Sequence, residues 1–189
     1  MALFVRSAVR DDARAITRIR VATWRAAYAG LIPQDLLDGL DEEREAEVRH
    51  RRWDEHHTEP RAADLIAEVD GVPAGWAVAG PSMDDDLPRN GQVYAIYALP
   101  EYWSRGVGHA LMVTAEERLR RAGFRHAHLW VLDRNERAAR FYERHGWRED
   151  GATMTDERRI AGSDVGTLFE RRRVRDLGEV IPGQAPSGA

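Results

Sequence analysis

One stretch limits the folds open to this chain more than any other: QVYAIYALPEYWSRGVGHALMVTAEERLRRAG, residues 92–123. It starts as a run of β-type residues stopped by Pro100, passes through Arg105, Gly106, Val107, Gly108 and His109, and continues as a helical pattern closed by Gly123. A strand therefore hands over to a helix through two glycines one residue apart. Three readings of that loop compete: a phosphate cradle of the P-loop kind, a dinucleotide-binding turn, and an ordinary tight turn. The dinucleotide fingerprint needs a third glycine where Leu111 stands, and the P-loop needs Gly-Lys-Ser/Thr where Gly108, His109 and Ala110 stand. What remains is a helix N-terminus whose unpaired N–H groups point at whatever lies above them, approachable because glycine has no Cβ, with Arg105 as a charged fork beside it. A plain turn fits the same residues.

The rest of the chain repeats the alternation of strand and helix. LFVRSAVR alternates like a half-buried strand, and DDARAITRIRVATWRAAY places Ala13, Ile16, Ile19, Ala22 and Ala26 at helical spacing. LIPQDLLDGLDEEREAEVRHRRWDEHH, rich in charge, predicts one or two exposed helices. ADLIAEVDGVPAGWAVAG reads as a hairpin turning at Asp70-Gly71, and PSMDDDLPRNG as a loop. HAHLWVLD is a strand, and NERAARFYERHG is a helix opened by Asn135 and ended by Gly146. WREDGATMTDERRI and VGTLFERRRV form a last strand pair, and GQAPSGA is a small, polar tail. This order predicts an α/β (α+β) architecture with a mixed sheet and helices on both faces.

Composition narrows function by exclusion. At 189 residues with 43% hydrophobic positions, the chain suits one domain, residues 1–175, with residues 176–189 as a flexible tail. A net charge of -4 supplies no general basic field for a nucleic-acid backbone. The absence of cysteine removes disulfides and thiolate chemistry. With no signal-like N-terminus and no long apolar run, a soluble cytoplasmic protein without membrane or nucleic-acid partners is expected.

Taken together, IYALPEYWSRGVGHAL and the downstream N-x-x-A-x-x-F-Y-x-x-x-G-W, from Asn135 to Trp147, resemble the GCN5-related N-acetyltransferase (GNAT) superfamily over residues 3–175. TWRAAYAGLIP is also similar to a group of uncharacterised bacterial members. The resemblance implies a single GNAT-like domain: a mostly antiparallel sheet of about seven strands, splayed between the fourth and fifth. It implies acetyl-CoA as cosubstrate and no metal. The pantetheine arm would lie in the splay against backbone groups of Ala98 and Leu99, pairing much as an added strand does. The loop Arg105, Gly106, Val107, Gly108 and His109 would hold the pyrophosphate, and Asn135 would hydrogen-bond the pantetheine. Tyr142 matches the family's general acid, which protonates the departing thiolate. A phenol of pKa about 10 facing a thiol of about 8.5 is a modest mismatch that a positioned hydrogen bond offsets.

Two positions depart from the family pattern. Trp103 stands at the loop start in place of a common Gln or Arg, and Gln92 stands where many relatives carry a glutamate, the candidate base. An amide cannot take a proton near neutrality, so the base stays open among Glu68, Asp133 and a water chain past Tyr94. The expected function is transfer of acetyl to a primary amine of a small molecule or peptide, within a ternary complex. A catalytically silent acyl-CoA-binding module and a protein lysine or N-terminal acetylase are the alternatives. A homodimer fits the family pattern.

Other residues are read more plainly. Asp84, Asp85 and Asp86 favour a solvated turn over an amine-attracting cluster, and Trp24 and Tyr28 favour core over acceptor wall. His126 and His128 lack a third ligand, so no metal is assigned. ERRRVR suits an exposed final strand.

Overall fold

The computed structural model describes residues 2–158 and 166–178. Strand β1 (Leu3–Ser7) leads through a short turn into helix α1 (Ala13–Ala27). Arg6 fixes that corner: its guanidinium donates to both Asp12 carboxylate oxygens at 2.6 and 2.8 Å and to Glu68 at 2.9 Å. Three short helices follow, α2 (Gln34–Asp38), α3 (Glu42–Arg51) and α4 (Trp53–His56). Their charge predicts exposure, yet Leu36, Leu37 and Trp53 are buried, as is Leu40 between α2 and α3. A few large apolar side chains per turn suffice to dock an otherwise charged helix.

Next come β2 (Ala63–Val69), β3 (Val72–Pro81), β4 (Gly91–Ala98), α5 (Val107–Arg121), β5 (His126–Leu132), α6 (Glu136–Arg144), β6 (Arg148–Arg158) and β7 (Gly166–Asp176). Asp70 and Gly71 turn between β2 and β3 with φ of 51° and 80°, the positive dihedrals a two-residue hairpin needs. Asn135 caps α6, its Oδ1 accepting from the Ala138 N–H at 3.1 Å. Residues 179–189, most of the expected flexible tail, lie outside the described residues.

The seven strands form one sheet in the order β1-β2-β3-β4-β5-β7-β6. Every neighbouring pair is antiparallel except β4 and β5. Alternation sorts the two faces: Leu65, Ala67, Ala77 and Ala79 pack with Val107, Leu111 and Met112 of α5. Ile66 and Trp76 point the other way, onto Ile16 and Ile19 of α1.

The arginine-rich strand corrects the sequence reading. β7 lies between β5 and β6 rather than at an edge, and Arg172 and Arg173 are buried at 7% and 3% exposure. Each charge is met by carboxylates from elsewhere in the chain. Arg172 reaches Asp86 at 2.7 Å and Asp150 at 2.8 Å, and Arg173 reaches Glu149 at 2.9 Å and Glu143 at 3.2 Å. Buried charges persist only when paired in this way.

Candidate active site

The site follows from one irregularity in β4. Val93 pairs with Ala79 and Ala95 with Val78, so Tyr94 is an extra residue with no partner in β3. A bulge of this kind bends the strand that carries it. β4 accordingly pairs with β5 at only two positions, Gly91 with Ala127 and Gln92 with His128, and then departs from it. A cavity of about 900 Å³ is lined by residues 92–98 of β4, by Trp130, Val131 and Leu132 of β5, and by residues of α1, α5 and α6.

Ala98 lines this cavity, and its carbonyl accepts from Thr23 Oγ1 at 2.9 Å and Trp103 Nε1 at 2.7 Å. The Leu99 N–H donates to Ala74 of the β3 side at 2.9 Å. By alternation the Ala98 N–H faces the splay, whereas Leu99 is buried away from it. Ala98 therefore offers a donor to the gap and Leu99 does not.

At the start of α5, Gly106 has φ of 87°, a conformation side chains resist, and Gly108 lies where a Cβ would come within 3.3 Å of the Phe141 ring. Gly106, Gly108 and His109 line the cavity. Val107 is buried against Gly75 of β3, so only its main chain is at the helix end, and Arg105 is exposed outside the lining. His109 Nδ1 lies 2.9 Å from His145 Nε2, and His145 Nδ1 lies 2.8 Å from the Phe141 carbonyl.

The basic residue that position 103 lacks arrives from α6. Arg137 lies over the Trp103 ring, 3.2 Å from its centroid, and burial lowers the guanidinium from its ordinary pKa. Arg137 and Arg144 line the cavity, as do Gly106, Gly108 and His109 of the α5 N-terminal region. A partly dehydrated cation in a cavity that also presents unpaired helix N–H groups is a setting that an anion would stabilise. Nothing in the local spacing around Asn135 marks Arg137, because its neighbour Trp103 is distant in sequence.

Tyr142 stands in the cavity wall, and Asn135 lines it too; with Oδ1 spent on the cap, the Asn135 side-chain NH2 is left to donate. Burial pushes the Tyr142 hydroxyl well above its usual pKa, Tyr97 and Glu170 add to the rise, and Arg173 opposes it. Tyr28 is raised for the same first reason, with the nearby Tyr97 adding to the rise. These phenols keep their protons throughout the neutral range.

The structure separates the groups considered for a base. Glu68 is held by Arg6 at 2.7 Å and Asp133 by Arg171 at 2.5 Å, and neither lines the cavity. Gln92 is buried, its Oε1 accepting from the Met83 N–H at 2.9 Å, so it anchors the loop of residues 82–90. Tyr94 lines the cavity with its hydroxyl donating to the Pro81 carbonyl. That loop is solvated only in part: Asp85 is exposed, whereas Asp84 accepts from Trp130 Nε1 at 3.0 Å and Arg172 ties Asp84 and Asp86 to β7. Trp24 and Tyr28 serve both readings, packed edge to face at 5.1 Å while lining the cavity. Glu170 of β7 also lines it, a carboxylate that an exposed-strand reading of ERRRVR leaves unnoticed. Among the described residues no cluster of three or more His, Asp or Glu could hold a metal ion. None of their helices is long and apolar enough to cross a membrane.

Comparison with known proteins settles the family. Residues 21–147 match the model of the acetyltransferase (GNAT) family. The chain belongs to the GNAT family and is an acetyltransferase. It is 30% identical over 132 residues to Uncharacterized N-acetyltransferase YuaI of Bacillus subtilis (strain 168), spanning 69% of this chain and 72% of that one. It is 32% identical over 143 residues to Uncharacterized N-acetyltransferase Rv2669 of Mycobacterium tuberculosis (strain ATCC 25618 / H37Rv), spanning 74% and 85%. Among solved structures, the PaiA N-acetyltransferase of Thermoplasma acidophilum in complex with coenzyme A superposes with a TM-score of 0.65 at 16% identity, over 90% of this chain and 98% of that one. YncA of Salmonella typhimurium with its cofactor acetyl-CoA gives 0.63 at 20% identity, over 98% and 99%. At those identities the likeness is one of fold.

Proposed function

We propose that this acetyltransferase moves an acetyl group from acetyl-CoA to a primary amine of a small molecule or peptide, by direct attack within a ternary complex. The observation that carries the reading is the single cavity that joins a glycine-lined helix N-terminus, an open β4 edge and a buried, protonated Tyr142. The two structural neighbours named above were solved with coenzyme A or acetyl-CoA, which supports the same assignment. Acetyl-CoA would supply the activated thioester.

The chain's own residues divide the remaining work. N–H groups from Gly106 to His109, together with Arg137, hold the pyrophosphate, and Arg105 reaches it from outside the lining. The Asn135 NH2 and the Ala98 N–H orient the pantetheine amides and the thioester oxygen. Tyr142 gives its proton to the leaving sulfur. One observation favours a silent CoA-binding module instead: Gln92 is committed to a loop contact and supplies no base. A thiol-release screen of primary amines and short peptides with acetyl-CoA separates the two. Thiol release above hydrolysis with at least one acceptor is expected, and binding of acetyl-CoA without release from any would establish the silent module.

A further inference from the structure

A further cavity, of about 480 Å³, opens between α1, α3 and α4 and shares no lining residue with the splay. It is lined by Arg20, Arg44, Glu45, Val48, Arg49 and His56. Three arginines thus meet one carboxylate, and that carboxylate is already taken, because Glu45 pairs with Arg20. Arg49 is the informative residue. Its guanidinium lies over the Trp76 ring of β3, 4.9 Å from the centroid, and its Nε is sealed from solvent without a hydrogen-bond partner. Among the described residues no carboxylate forms an ion pair with Arg49. Asp64, whose charge acts on it, is hydrogen-bonded elsewhere, to Trp76 Nε1 at 2.5 Å and to His57 Nε2 at 3.1 Å. Burial accordingly lowers the Arg49 guanidinium from its ordinary pKa. Arg44, exposed at the same cavity, has no ion pair among the described residues either. The contrast with β7 is plain: Arg172 and Arg173 are each met by two carboxylates or more. A cation half-withdrawn from water with no counter-ion of its own is stabilised by an anion from outside the chain.

We propose that this cavity is a second ligand site, which binds the dianionic phosphate group of a small phosphate monoester through Arg44 and Arg49. The inference stands apart from the acetyl-transfer reading. A guanidinium held on an aromatic ring keeps its N–H donors for an anion, and their planar fork matches a pair of phosphate oxygens. Two unmatched arginines suit two negative charges, and a phosphate monoester carries close to two at neutral pH. His56, in the cavity wall, adds a ring nitrogen able to donate. The volume leaves room for an organic body beside the phosphate, with Val48 as an apolar wall. Glu42, Glu43 and Glu47 of the same helix oppose an extended polyanion, which sets a small molecule above a nucleic-acid backbone.

The test is calorimetry on the full chain at low salt with glycerol 3-phosphate, inorganic phosphate and succinate, comparing the parent with Arg49→Met, Arg44→Gln and Arg137→Met. Arg49→Met keeps an unbranched stem on Trp76 and removes the charge. Arg137→Met removes a cation of the catalytic cavity, the other place suited to a phosphate. The expected results are a Kd below about 1 mM for glycerol 3-phosphate in the parent, with inorganic phosphate binding too and succinate about 10-fold weaker or worse. Affinity for glycerol 3-phosphate should fall about 10-fold or more in Arg49→Met and about 3-fold or more in Arg44→Gln, and change by less than about twofold in Arg137→Met. Glycerol 3-phosphate should also raise the melting temperature of the parent and leave that of Arg49→Met unmoved. No binding of either phosphate compound by the parent up to about 10 mM overturns the proposal. So does binding that Arg137→Met abolishes and Arg49→Met leaves intact, which assigns the phosphate to the catalytic cavity. Succinate binding more tightly than both phosphate compounds, or inorganic phosphate binding alone, overturns the ligand class. If Arg49→Met does not fold, the parent, the exposed Arg44→Gln and Arg137→Met decide the matter.

Discussion

Tyr142 has the two properties that a proton donor to sulfur requires: a place in the cavity wall and an environment that keeps its proton on at neutral pH. Tyr142→Phe removes the hydroxyl and keeps the ring, so packing against Phe141 persists. Turnover should fall by about 10²-fold, with acetyl-CoA affinity nearly unchanged by calorimetry. His128 makes a prediction about stability. It is fully buried 3.3 Å from Asp84, and burial lowers its pKa from 6.5, with Arg172 lowering it further and Asp84, Asp86 and Asp150 opposing. As pH falls below the ordinary histidine value the unfolded chain gains a proton that the folded chain refuses, so stability declines toward acid until the depressed folded-state value is passed. Melting temperatures of the parent from pH 7.5 to 5.5 should slope downward, and His128→Gln should flatten that slope. At this scale the sequence shows what is local. Asn135, Tyr142 and the Gly106 to Gly108 loop stand out through short-range spacing. Arg137 does not, because what makes it interesting is a partner from another element, Trp103.

The elements meet at Gly75, where β3 passes beneath the first turn of α5. A Cβ there would lie 2.6 Å from Val107 Cγ1 and 2.8 Å from Leu111 Cδ1, with the Tyr97 carbonyl oxygen at 3.0 Å. Gly75→Ala should therefore push α5 outward and cost about 1–3 kcal/mol in urea unfolding. Because α5 carries the proposed phosphate-binding N–H groups, acetyl-CoA affinity should weaken in the same variant. Element types follow readily from the sequence: hairpin, capped helix and Gly-x-Gly handover are each written in a few adjacent residues. Exposure is harder to read. The arginines of β7 look like an edge strand until the sheet order places β6 outside them and brings carboxylates from residues 84, 86, 143, 149 and 150 to meet them. Likewise Leu36, Leu37 and Trp53 outweigh the charge of their helices, a balance that composition alone does not resolve.

In the molecule as a whole, strands β1 to β4 and strands β5, β7 and β6 form two half-sheets whose shared seam is two residue pairs long. A ligand seated in the splay would touch both halves and take up backbone groups that the seam leaves open. Acetyl-CoA at 100 times its dissociation constant should stabilise the fold by about 2.7 kcal/mol. A rise in melting temperature that grows with ligand concentration would check this, and hydrogen exchange should slow along β4 and β5. The splay itself is legible only through family resemblance, since strict alternation in QVYAIYAL would put Val93 and Ala95 on one face. They sit on opposite faces, with α5 and α1 respectively, because Tyr94 adds one residue to β4 that β3 does not match.

That surplus residue has an odd property. Excising Tyr94 would leave Ala95, Ile96, Tyr97 and Ala98 opposite the same β3 neighbours they have now. The lining would survive almost unaltered, yet the straightened strand would lie flush along its parallel companion, and the doorway for a thioester carrier would be sealed by subtraction.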